Sequence, residues 1–193
     1  MSPIPPPGEE KQQSRLVRLL SRFRADRRGV TMIEFAFVGG PFLLLLFSIL
    51  EVGISFFVNQ VIDNAMLTTA RLIRTGQAQL QGFDAAKFKT EILKNAAGFP
   101  LSNERLYVDV EKLNNFAAFT PKPLIDENGN VKDDFGYDDG EAGDIIIVRV
   151  LYRWPMVTNW LRLNYADLAS GDRLLTSVAI FRNEPFPWKS KGS

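Results

Sequence analysis

From Phe35 to Val58 the chain is apolar apart from Ser48, Ser55 and a single charge, Glu51. That run is about 24 residues, or roughly 36 Å as a helix, enough to cross a hydrocarbon core about 30 Å thick with some tilt. A secretory signal has a shorter apolar core, about 7–15 residues, ending in small residues. Here the run is longer and passes into a second pattern, so removal as an ordinary signal is not expected. Val58, Ile62, Ala65, Thr69 and Leu72 recur at helical spacing, which extends the helix as an amphipathic rod to about Thr75, with Gly76 as its stop. One helix of about 45 residues is the expectation, two separate helices the alternative. Pro41, after Gly39 and Gly40, removes a donor and crowds the carbonyl of Phe37, so a bend or loosened turn is expected there.

Beyond Gly76 the period changes twice. Asp84 is placed to cap a second helix, with Phe83 and Phe88 as a hydrophobic staple across its start. Phe88, Ile92 and Ala96 share one face, and Gly98 and Pro100 end it. Alternation then takes over. Leu106, Val108 and Val110 alternate with Tyr107 and Asp109, Ile145–Trp154 is rich in branched residues, and Leu175–Phe181 alternates again. Helices followed by grouped strands predict an α+β body, a second helix and a small antiparallel sheet of three or four strands. Arg149 and Arg153 share a strand face with Ile147 and Leu151; they read as the solvated side, or as a partner groove.

Charge is distributed unevenly. Residues 1–29 carry seven basic groups against three acids, a net of +4, whereas residues 59–193 carry 16 basic and 17 acidic groups. Six arginines, Arg15 to Arg28, precede the apolar run closely, and only Arg71 and Arg74 follow it at similar distance. The positive-inside bias places the N-terminus in the cytoplasm and the body on the far side of the membrane. The proline-rich start is expected to be disordered before Gln12, and Ser14–Arg24 reads as a basic amphipathic helix on the inner leaflet, Leu16, Leu19, Leu20 and Phe23 facing lipid. No basic stripe with interleaved aromatics marks the body, so nucleic acid is not an expected partner.

The chain has no cysteine and no histidine. That removes disulfides, thiolate chemistry, imidazole-based triads and the commonest zinc ligand. A hydrolase using acids such as Asp138 and Asp139 is left open only in principle, because spacing establishes no paired-acid geometry. The acidic segment Pro121–Gly143 imitates a calcium loop at Asp126-Glu127-Asn128-Gly129-Asn130. Its glycine falls at position 4 rather than 6 and Tyr137 occupies position 12, so no EF-hand is read. The expectation is a mobile, solvated hairpin loop with an Asn128-Gly129 turn, no resident metal and no cofactor, a calcium site of another type within Asp126–Asp144 being the lesser alternative.

The most informative group is a glycine and an acid at the mouth of the apolar run. Gly29 closes the basic leader, and Glu34 lies five residues later, before Phe35. A carboxylate at the edge of hydrocarbon is costly and marks a functional position. A plainer reading makes Glu34 an interfacial acid that gains roughly 0.3–1 kcal/mol from a helix N-terminus. Glu51 lies 17 residues on, roughly 26 Å along the axis and about 100° round it, so the two acids do not form one site in one helix. It reads as an outer-interface residue or a contact to a partner subunit.

The sequence Gly29-Val30-Thr31-Met32-Ile33-Glu34-Phe35 followed by an apolar run resembles the type III signal of prepilins. More specifically, Arg27-Arg28-Gly29, Glu34-Phe35-Ala36, Glu51 with Gly53, the stretch Asn64-Ala65 to Arg71, and the C-terminal Phe181-Arg182-Asn183-Glu184-Pro185-Phe186 resemble TadE-like pilus-assembly proteins, the minor pseudopilins of tight-adherence (Flp-type) pili. The resemblance implies a pilin-like fold and cleavage after Gly29 by a prepilin peptidase, so that Val30 becomes the first residue. It further implies assembly contacts through Glu34, Phe35 and Glu51. Expected partners are that peptidase, other pilin and pseudopilin subunits, an inner-membrane assembly platform and membrane lipid. Val30 where pilins usually carry Phe, and Phe35 where major Flp pilins carry Tyr, argue against a major pilin. The organisation implied is a cytoplasmic leader 1–29, a transmembrane helix 30–58 and an extracytoplasmic, periplasmic domain 59–193. A structural subunit rather than an enzyme is expected. The alternative is an unprocessed single-pass anchor whose outer domain binds a ligand or partner.

Overall fold

The computed structural model describes residues 30–96, 98–116, 122–157 and 166–187. Gly29, the leader and the expected Ser14–Arg24 helix lie outside them. The chain separates into two compact units, residues 1–48 and 49–193. Helix α1, Val30–Arg74, is one 45-residue element, and its assignment runs unbroken through Pro41.

In the first unit, the side chains of 31–48 are almost all exposed, among them Phe35, Phe37, Phe42 and Phe47. The second unit begins within the apolar run, at Ile49. Here α1 becomes two-faced: Val58, Ile62, Ala65, Met66, Ala70 and Ile73 are buried. Thr69, on the same face, returns its hydroxyl to the Ala65 carbonyl at 2.8 Å and accepts from Asn95 Nδ2 at 3.1 Å.

Gly76 ends α1 with φ +78°, a left-handed conformation that only glycine adopts without strain. A short helix α2, Gln77–Gln81, follows; five residues are too few to register as a periodic pattern. Helix α3, Ala85–Asn95, starts as the sequence predicts, with Lys87 N donating to Asp84 Oδ1 at 2.7 Å. Phe88 and Ile92 enter the core, and Phe83 packs against it.

Strands β1 (Leu106–Leu113), β2 (Ile145–Pro155) and β3 (Asp172–Arg182) form an antiparallel meander in the order β1-β2-β3. In register, Val108 faces Val150 and Val150 faces Ser177. Leu106, Val108 and Val110 on β1, with Ile146, Val148, Val150 and Tyr152 on β2, meet the helices in one apolar cluster. The architecture is α+β, as expected.

The other sheet face corrects the sequence reading. Ile147 and Leu151 are fully buried and Arg149 is only 3% exposed, so this side of β2 is not solvated. A near-continuous apolar strand requires cover on both faces, and the segment 122–143 supplies it. The expected turn is present: Ile125 bridges Val131, Gly129 N donates to Asp126 O at 3.1 Å, and Asp126 Oδ1 accepts from Asn128 and Asn130. The hairpin is not a free solvated loop, however. Val110 N donates to Gly136 O at 3.0 Å and Asp138 N to Val110 O at 2.9 Å, stitching the segment to the edge of β1. Its far end is held by Ala169 N donating to Gly129 O at 2.9 Å.

Candidate assembly helix and its anchorage

Val30 opens α1, which places Glu34 one turn further on. Positions i and i+4 share a helix face about 6 Å apart along the axis. A charge at the backbone nitrogen of residue 30 therefore lies along the face that carries Glu34. The Glu34 side chain is exposed and Phe35 is 75% exposed, so nothing in the first unit covers either. Thr31–Arg74 is long and apolar enough to cross a membrane, and only 17% of its most apolar window is buried by the chain. The core helix of a soluble domain is covered far more completely than that.

Glu51 belongs to the other unit and makes a contact that its spacing does not show. It is only 8% exposed, and Val157 N donates to its Oε1. Its carboxylate fastens the chain just after β2 to α1. The structure thus separates Glu34, open at the start of α1, from Glu51, engaged inside the body.

The C-terminal motif proves to be the second fastening. Glu184 N donates to the Arg74 carbonyl at 2.8 Å, satisfying one of the free acceptors at the end of α1, and the Glu184 carboxylate pairs with the Arg74 guanidinium at 3.0 Å. Phe186 covers Gly76 so closely that a Cβ there would lie 2.6 Å from its ring. Asn183 ties this end to the loop layer: its Nδ2 donates to Asp139 O and Glu141 O, both at 3.0 Å, and its backbone exchanges hydrogen bonds with Gly143 and Asp144. Gln79 Nε2 donates to the same Asp139 carbonyl at 2.7 Å.

Electrostatics concentrate beneath the loop layer. Arg149 Nε donates to Asp109 Oδ2 at 2.7 Å, the two side chains being 4% and 2% exposed, and the guanidinium reaches Glu111 Oε2 at 2.9 Å. Lys122 pairs with Glu111 from the loop side. Sequence reasoning missed this cluster because its members are separated by 40 residues, and only the strand register brings them opposite. At the sheet margin Lys112 binds Asp144 at 2.8 Å, which raises the lysine and, against desolvation, holds the carboxyl below its ordinary value. Burial pushes the Asp139 carboxyl up to about 6, with Asp138 adding repulsion. Burial likewise raises the Tyr137 phenol. Among the described residues no group of His, Cys, Asp or Glu is clustered to hold a metal ion.

Residues 29–71 match the family model of TadE-like proteins, over the same stretch that opens with Gly29 and contains Glu34 and Glu51. No curated protein and no solved structure matches the chain. The match suggests a part in Tad pilus assembly, and the apolar helix suits a membrane-anchored component of it.

Proposed function

We propose, from the TadE-like character of residues 29–71, that the protein is a minor pseudopilin, a structural subunit of a tight-adherence pilus system rather than a catalyst. A prepilin peptidase cuts after Gly29, Val30 becomes the terminus, and Glu34 sets the register of the subunit against its neighbours. The leader lies in the cytoplasm, α1 crosses the inner membrane and the body stands in the periplasm. Its partners are other pilin-type subunits and the membrane platform that assembles them.

The observation that carries this reading is the Gly29–Glu34 spacing at the start of a helix whose apolar side chains are bare. Before cleavage the nitrogen of Val30 is a neutral amide. Afterwards it is an ammonium, and an ammonium and a carboxylate attract far more strongly in hydrocarbon than in water. Cleavage thus creates the partner that an acid in that layer requires. In a pilin-type assembly the ammonium of one subunit meets the glutamate of the next, so the pair sets the axial step.

N-terminal sequencing of the protein from cells that express the peptidase is expected to begin at Val30. Retention of residues 1–29 in functional pili would defeat the proposal and favour an unprocessed anchor. Glu34→Ala is expected to leave cleavage intact and to reduce incorporation into pili, measured by piliation and by co-purification with the other subunits.

A further inference from the structure

We propose that the body has its own lipid-docking edge, in which Val157 enters the acyl boundary and Arg173 engages a lipid phosphate. The inference rests on α1 being a membrane segment and adds a second, separate contact with the same bilayer.

Val157 is the most exposed large apolar side chain among the described residues, at 79%. It is not a loose end, because its N–H is held by the Glu51 carboxylate on α1. Around that fastening α1 is itself bare and apolar, with Ile49, Leu50, Ile54, Phe56 and Phe57 at least half exposed. An apolar side chain pinned beside such a helix stretch lies at the depth of the lipid that the helix requires.

Arg173 supplies the polar half of the edge. Its guanidinium stacks over Phe56 at 5.5 Å and donates to Ser55 Oγ at 3.4 Å, one helical turn beyond Glu51. A turn is about 5.4 Å, which separates an acyl-level residue from a phosphate-level one. Arg173 forms no ion pair among the described residues. The nearby acids are turned elsewhere, Asp172 accepting from Ser170 and Asp167 from Leu174 N. Beside the guanidinium lies a notch of about 180 Å³ lined also by Asn59 and Thr176. Arginine matches phosphate through a planar fork of donors, and its stem lies along apolar surface while its head stays polar. Three aromatic rings lie along the edge, from α1, β2 and the connection after α3: Phe57 packs on Phe99 with centroids 6.1 Å apart, and Phe99 on Trp154 at 6.4 Å. Of these rings Trp154 is of the amphipathic kind that collects where bilayer meets water.

Because the chain has no cysteine, single-cysteine variants report one position each. Full-length V157C, I54C and L80C, labelled with an environment-sensitive fluorophore, are placed in phosphatidylethanolamine–phosphatidylglycerol vesicles containing doxyl-quencher lipids. The expected result is blue-shifted, quenched emission at Val157 and Ile54, and aqueous, unquenched emission at Leu80. Aqueous emission at Val157 with quenching at Ile54 overturns the docking edge and leaves the anchor standing. Aqueous emission at both positions removes the anchor and the edge together. Arg173→Gln in the V157C background is expected to abolish the dependence of quenching on the phosphatidylglycerol fraction. An unchanged dependence overturns the role given to Arg173.

Discussion

Arg149 illustrates how much a single buried charge decides. A guanidinium with almost no exposure is tolerable only while Asp109 and Glu111 face it. Removing one partner of a buried pair leaves the other uncompensated, at a cost of about 3–5 kcal/mol. Arg149→Ala is therefore expected to lower the denaturant midpoint of the detergent-solubilised protein sharply. Replacing Arg149 and Asp109 together with leucine is expected to recover much of the loss. Asp139 acts in the opposite sense to an ion-paired acid. Its carboxyl is raised from 3.8 to about 6, so the folded state holds the proton more tightly than the unfolded state. Stability from this group is full below pH 3.8 and is lost as pH rises through about 6. Asp139→Asn is expected to flatten the urea midpoint across that window and to raise it at neutral pH. At this scale the sequence disclosed residues whose role is local. The Asp84 cap and the Gly76 stop need only their neighbours in the chain. Arg149 was misread as solvated because its partners and its cover come from distant segments.

At the scale of elements, strong periodicity was readable. The amphipathic stretch after Val58, the capped helix at Asp84 and the three β-prone runs all form the elements expected of them, because each local preference agrees with the burial it later receives. The loop layer was not readable as a layer. Its composition is polar, and its fixed position depends on three backbone hydrogen bonds to β1 and to the connection before β3 rather than on any pattern of its own. Nor did the spacing of Glu51 show that it fastens Val157, since that contact joins residues 106 apart in the chain. The junction after α1 leaves no room for a side chain. Gly76→Ala places a methyl against the Phe186 ring in a left-handed conformation. Overpacking of this kind costs about 1–3 kcal/mol, and thermal unfolding of the variant is expected to begin correspondingly earlier.

The whole molecule joins a bare apolar helix segment to a body whose central strand, β2, is covered on both faces. The proposed pseudopilin role uses both parts, the helix for lipid and neighbouring subunits and the body as a folded head. Its proposed assembly step depends on a charge created by proteolysis, and its proposed lipid edge depends on a charge that is always present. The two are separable by experiment: Glu34→Ala is expected to change incorporation without changing fluorescence at Val157, and Arg173→Gln is expected to change the lipid dependence without altering the N-terminal sequence of the product.

The fastening at the end of α1 also sets an order of synthesis. Glu184, which binds Arg74, follows it by 110 residues, and Phe186 lies later still. A ribosome therefore delivers the end of α1 and its Gly76 turn long before the residues that fasten them. Until Glu184 and Phe186 have been made, the Arg74 carbonyl and the Gly76 turn lack the contacts that close them.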